Sequence, residues 1–156
     1  MAAVYAVSVL YTQQRLARGF CYTVCMKGYV GDIQQETLEN NDFRRVLYTA
    51  EHMQLVVMSI LPRGDIGEEV HTLDQFVRVE AGEGEAVLGG ARHAIQAGSA
   101  VVITAGMRHN IINTSAKAPL KLYSLYAPPE HRDGVVHRTK VEASADEEHF
   151  DGVTTD

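Results

Sequence analysis

Positive charge is in short supply in this chain. Its 156 residues carry 14 lysines and arginines against 20 aspartates and glutamates, a formal net charge of −6 with a pI near 5.6. Arg44-Arg45 is a lone basic pair, and Arg132 and Arg138 sit among acids, so no surface is set up to follow a phosphate backbone and no nucleic-acid partner is expected. Cysteine is scarcer still. Cys21 and Cys25 match neither a two-residue redox pair nor a disulfide framework, and they assign no compartment. Long apolar runs are missing as well: Ala2–Leu10 is too short to span a bilayer and lacks the positive leader of a secretory signal, so no membrane association is expected. No internal repeat and no long amphipathic helix stand out.

What remains is a chain that is 46% hydrophobic, the size of one domain, with its apolar residues in short runs. Phe43–Thr49, Gln54–Leu61, Phe76–Glu80, Glu85–Leu88, Ala91–Gln96, Gly98–Ile103, Ile111-Ile112 and Leu120–Tyr126 read as strands, divided by glycine- and proline-bearing turns. Gly89-Gly90 favours a hairpin. Gly98–Ile103 is nearly all apolar and reads as an inner strand buried on both sides. Short strands at close intervals point to an all-β sandwich or barrel in a single domain. The polar stretch from Asp32 to Asn41 reads as a loop or a covering strand, and the acidic residues 142–156, short of large apolar side chains, as a disordered tail. Residues 1–25 hold Arg15 and Arg18 and no acid. Either they precede a natural opening at Met26, with a cytoplasmic protein following, or they form a mitochondrial transit peptide.

The chemistry is densest at Glu69-Val70-His71-Thr72-Leu73-Asp74-Gln75, which places possible metal-binding side chains close together in an apolar run. If Val70 lies in a strand, the two-residue period turns Glu69 and His71 to one face. A second segment, Gly98 to Asn113, offers a hydrophobic strand, a tight glycine turn and then His109.

Together these segments resemble the cupin superfamily. Its second motif runs glycine, proline, glycine, histidine, asparagine at set intervals, and Gly98, Gly106, His109 and Asn113 fall in register, with Thr104 in place of the proline. In the first motif His71 and Gly82 match, while Glu69 stands for a histidine and Gln75 for a glutamate; the opening glycine falls on Arg63, beside Gly64. The resemblance covers about Met26 to Glu142 and implies a jelly-roll β-barrel over residues 26–141.

It also implies a ligand set of Glu69, His71, Gln75 and His109: two imidazoles, one carboxylate and one amide oxygen. Such a set suits a divalent ion of the zinc, manganese, iron or nickel type with a position left open. The alternative is a barrel that keeps its shape without an ion, Gln75 hydrogen-bonding His71. Phosphomannose isomerases, also cupins, use the same four side-chain types, which implies a metal-dependent isomerase of sugars or sugar phosphates. A non-haem iron dioxygenase and a non-catalytic module that binds a small molecule are the other expectations. Asp74, Tyr126 and His131 are the candidate bases, while His52, His93, His131 and His137 read as exposed. Phe76, Arg78 and Glu80 should face outward from Gln75, Val77 and Val79, a surface suited to a homodimer.

Overall fold

Apolar residues recurring at every second position form strands because successive side chains leave a strand on opposite faces, and most of the described strands here show that alternation. The computed structural model describes residues 28–156; the segment 1–25, with Cys21 and Cys25, lies outside the described residues. A short helix α1 (Ile33–Glu39) precedes strands β1 (Arg44–Thr49), β2 (Gln54–Ile60), β3 (Asp74–Ala81), β4 (Glu83–Leu88), β5 (Ala91–Gln96), β6 (Ala100–Ile103), β7 (His109–Asn113) and β8 (Leu120–Ala127). A two-residue strand β9 (Val136–His137) and a helix α2 (Lys140–Ala145) follow.

The strands form two antiparallel sheets, one in the order β6-β3-β8-β2-β1-β9 and the other β5-β4-β7. One apolar core draws on both: Val56, Met58, Ile60, Val77, Val79, Leu120 and Leu122 from the larger sheet meet Ala86, Ile95 and Ile111 from the smaller. Each such aliphatic side chain, once shielded, contributes about 1.5–3 kcal/mol. The architecture is the expected all-β jelly roll. The alternation on β3 also holds, since Gln75, Val77 and Val79 are buried while Phe76, Arg78 and Glu80 are half-exposed. Among the described residues no helix is long and apolar enough to cross a membrane.

Two strand-level expectations change. β6 is an edge strand, not an inner one, and Val102 on its outer face is 66% exposed. The polar stretch after Asp32 is helical: the Asp32 side chain accepts from Gln35 N at 3.0 Å as an N-cap, Gln35 donates to Glu39 one turn on at 2.8 Å, and Thr37 is buried. With only one buried residue, α1 has no apolar stripe to mark it in the sequence.

The C-terminal segment is the larger correction. Residues 142–156, expected to be disordered, carry the end of α2, which starts with a capping box between Thr139 and Glu142. Beyond it the chain is tied to the barrel by polar groups. Phe150 N donates to Glu130 O, Thr155 N to Thr49 O, and Thr49 N to Thr155 Oγ1, all within 2.9 Å. Glu148 is buried and accepts from His131 Nδ1 at 2.8 Å and from Arg132 N at 2.7 Å. His131 and His137 are therefore buried rather than exposed, each on an acid: Glu148 for the first, Asp146 at 3.1 Å for the second. His52 and His93 are exposed, as expected.

Burial alone would raise the pKa of Glu148, but the His131 ring and the Arg132 N–H hold the carboxyl down at about 2. A depressed carboxylate stabilises the fold above its unfolded value near 4.5, and that stabilisation is lost as pH falls from there through about 2. Replacing Glu148→Gln is expected to cost about 2–3 kcal/mol at neutral pH and to flatten the loss of stability below pH 4.5. Denaturant melts of both proteins across that range check this; parallel acid limbs would show that Glu148 does not tie the tail to stability.

Candidate metal centre

The site is assembled by backbone pairing rather than by a complete strand. Residues before β3 run antiparallel to β7: Ile66 N donates to Ile111 O, Glu69 N to His109 O at 2.9 Å, and His109 N back to Glu69 O at 3.0 Å. This isolated bridge sets Glu69 directly across from His109. Val70 is 59% exposed, so Glu69 and His71 turn the other way, inward, as the period predicts although no full strand forms. The glycine turn ahead of β7 closes through Met107 N on Thr104 O, so Thr104 serves where the motif has proline. Gly106 takes φ +79°, a region that side chains disfavour, and its N–H donates to His71 O at 2.7 Å. The turn that aims His109 thus also holds the backbone of His71.

Three potential ligands converge. One donor atom each from Glu69, His71 and His109 lies within 4.8 Å of the others. Glu69 Oε2 is 3.2 Å from His71 Nε2 and 3.9 Å from His109 Nε2, and the two imidazole centroids are 5.2 Å apart. His109 Nδ1 lies 2.9 Å from Met107 O. A carbonyl only accepts, so Nδ1 carries the proton and, in the neutral ring, Nε2 presents a lone pair. That Nε2 is buried and has no hydrogen-bond partner among the described residues. Gln75 Oε1 is in the same condition, while its amide nitrogen donates to Ser124 Oγ at 2.9 Å and not to His71. Buried acceptors left without donors are costly, and a cation held by Glu69 and His71 would answer that of His109. The residues present therefore fit a divalent metal ion.

Charge in the site is balanced closely. Burial works against a charged His71, but Glu130 Oε1 at 3.3 Å from Nδ1 and Glu69 at Nε2 outweigh it and raise the pKa to about 9. Burial would raise Glu69 too; His71, Arg44 and His109 bring it below the ordinary carboxylate range.

The comparisons with known proteins agree with this architecture. The Cupin domain family model matches residues 56–126. The uncharacterised protein YrkC of Bacillus subtilis (strain 168) is 43% identical over 129 residues, spanning 78% of this chain and 69% of YrkC. The uncharacterised protein L612 of Acanthamoeba polyphaga mimivirus is 42% identical over 112 residues, 69% of this chain and 70% of L612. The crystal structure of BH2720 from Bacillus halodurans superposes with a TM-score of 0.75 at 44% identity, covering 77% of this chain and 96% of that one. This chain belongs to the cupin superfamily.

Within this cupin the motif residues divide by role. His71 and His109 join the cluster. Asn113 does not: it donates from Nδ2 to the carbonyls of Ile60, Leu61 and Ala118 and accepts from Ser115 N. It ties loops together away from the ligands. Gly82 has φ +92°, and a Cβ there would meet Pro119 O at 2.7 Å, so its side is closed to any side chain. Among the candidate bases, Asp74 is exposed and accepts from Ala105 N at 2.9 Å, which fixes the glycine turn rather than facing the cluster. Tyr126 is buried edge-on to His71 at 5.8 Å, and burial raises its pKa above the ordinary phenol value. His131 also packs edge-on with that ring, at 5.1 Å. With Nδ1 on Glu148, its buried Nε2 has no hydrogen-bond partner among the described residues, and burial lowers its pKa despite the carboxylate.

Sequence reasoning missed Glu130 and Arg44. Glu130 follows Pro128-Pro129, where the strand pattern stops, and nothing local links it to His71. A metal-bound histidine is commonly oriented through its second nitrogen by a carboxylate, and Glu130 stands at that nitrogen of His71. Glu130→Gln is expected to weaken metal affinity by about tenfold, and Glu130→Ala by about 10–100-fold, without a comparable fall in melting temperature of the metal-free protein. Competition against a chromophoric chelator measures the first and calorimetry the second.

Proposed function

We propose that this cupin is a metal-dependent enzyme acting on a small polar metabolite, an isomerase of the sugar or sugar-phosphate type. The observation that carries this reading is His109 Nε2, a buried acceptor without a partner among the described residues, within reach of Glu69 and His71. Gln75 is taken as the fourth ligand because it lies in register with Tyr126, whose ring meets His71. The set matches in side-chain type the one by which phosphomannose isomerases bind zinc; zinc, manganese, iron and nickel all suit it. Bound there, the ion would act as a Lewis acid toward a carbonyl or hydroxyl.

The chain supplies the remainder. His131 is the base in this reading: buried and biased toward its neutral form, with Nδ1 held by Glu148 and Nε2 unshared, it can take a proton from a carbon next to the polarised group. Tyr126, kept as a neutral phenol, walls the space between His131 and His71. A homodimer through the outward Phe76 and Arg78 surface belongs to the same proposal, and light scattering tests it.

A second reading has its own observation. The three-residue cluster alone, two histidines and one carboxylate, is the donor set of non-haem iron oxygenases. Iron-dependent oxygen uptake with a diol or diketone, abolished by zinc, would favour it. A ligand that raises the melting temperature and is recovered unchanged would instead mark a binding module.

Elemental analysis of protein purified without chelator is expected to find about one transition metal per chain, and none in His109→Ala, whose β-sheet circular dichroism persists because the apolar strands are untouched. Metal-loaded protein incubated in deuterated water with aldose and ketose panels should then exchange a substrate proton, and His131→Gln should abolish that exchange while keeping the metal. Loaded protein that exchanges nothing across the panels would exclude the isomerase.

A further inference from the structure

β1 opens with an arginine on the face of the larger sheet that turns inward. The register sets Arg44 opposite Met58, Met58 opposite Leu122 and Leu122 opposite Val79. Residues facing one another across antiparallel strands share a side of the sheet, and Met58, Leu122 and Val79 are core residues. Arg44 therefore projects inward, its side chain only 10% exposed.

Among the described residues its guanidinium finds charge there but no hydrogen bond. Nη2 is 3.7 Å from Glu69 Oε1 and Nη1 is 3.8 Å from Glu148 Oε1, with the Phe43 ring centroid 5.9 Å from Cζ. Both ion pairs exceed hydrogen-bond length, and Nε is buried without a partner among the described residues. Among the described residues the guanidinium fork is thus held in the interior by ion pairs and the Phe43 ring, with its Nε–H left without a hydrogen bond. Its placement is specific, because Glu69 turns Oε2 toward His71 and His109 and Oε1 toward Arg44. One carboxylate separates the fork from the metal cluster.

Resting on the metal reading above, we infer that Arg44 reads an oxyanion on the substrate, so that the metabolite carries a carboxylate or a phosphate beside the group that meets the ion. A guanidinium pairs with either anion through parallel N–H···O bonds, the geometry its unused donors allow. An ion drawing on Glu69 leaves Arg44 less completely balanced, with Glu148 the other carboxylate beside it. Neutral sugars are thereby disfavoured against sugar acids and sugar phosphates.

Calorimetric titration of zinc-loaded protein with glycolate, glycerol 3-phosphate and ethylene glycol tests this and separates the two anions. One anion is expected to bind at least about tenfold more tightly than the neutral diol. Arg44→Gln should remove that preference while zinc content and diol binding stay unchanged, and Arg44→Lys, which keeps the charge and loses the fork, should fall between. Should Arg44→Gln not fold, the lysine variant decides by the same comparison. Retained preference in the variants overturns the inference, as does a parallel loss of zinc, diol binding and thermal stability, which marks a structural counter-ion. If the wild-type protein takes up no metal, the metal reading is what fails; the anions are then titrated against metal-free protein, where Arg44-dependent binding supports the inference and its absence overturns it.

Discussion

The reciprocal hydrogen bonds between the backbones of Glu69 and His109 are what the rest of the site depends on. Two residues that exchange both bonds across an antiparallel pair sit about 5.5 Å apart at Cα with their side chains on one face. His71, two residues along, shares that face, so a single bridge gathers a carboxylate and two imidazoles without a loop having to find its own conformation. The glycine turn completes the constraint, since Gly106 N on His71 O fixes the second histidine from the same segment that aims the first. A slip of one residue in this pairing would send Glu69 and His71 to solvent and Val70 inward.

Around that bridge the interior holds more charge than a barrel of this size tolerates without compensation. Glu69, Glu130 and Glu148 face Arg44 and His71 in a connected chain of contacts between 3.2 and 3.8 Å. Removing ions of this kind from water costs several kcal/mol each, comparable to what two or three core aliphatics contribute. Such a network is weak as a source of stability. It is suited to a site that keeps charges of both signs in close contact.

The strands and the ligand face were legible in the sequence because alternation and glycine turns are local properties. Gly98, Gly106, His109 and Asn113 revealed the cupin pattern, and the parity of Glu69 and His71 followed from the two-residue period of a strand. What escaped reading depends on partners far along the chain. Residues 142–156 have the composition of a disordered tail, yet Glu148 finds His131, and Thr155 finds Thr49. His131 looked like a loop histidine until Gln54 took both its N–H and its carbonyl. Arg44 did leave a trace: it shares parity with buried Val46, and an arginine at a core position of a strand is a signal that a lone basic pair conceals. Gln75 was legible as inward, and its amide nitrogen bonds Ser124 rather than His71, the partner that the metal-free alternative gave it.

The two ends of the barrel are held by different means, and this matters for how the site can change. At the end held by Asn113, one neutral amide joins four backbone groups from two connections, a satisfied network that gains nothing from moving. At the other end the closure is a C-terminal segment held by ionisable contacts, with unsatisfied nitrogens on Arg44, His109 and His131 beneath it. Unfilled hydrogen-bonding capacity is therefore concentrated where the barrel is closed by its most weakly apolar element. A segment fixed by charge responds to a change of charge below it, whereas one fixed by burial does not. Shape in this cupin thus rests on the neutral end and the core, and chemistry on the charged one, so substitutions at the mouth can alter what is bound while the strands keep their register.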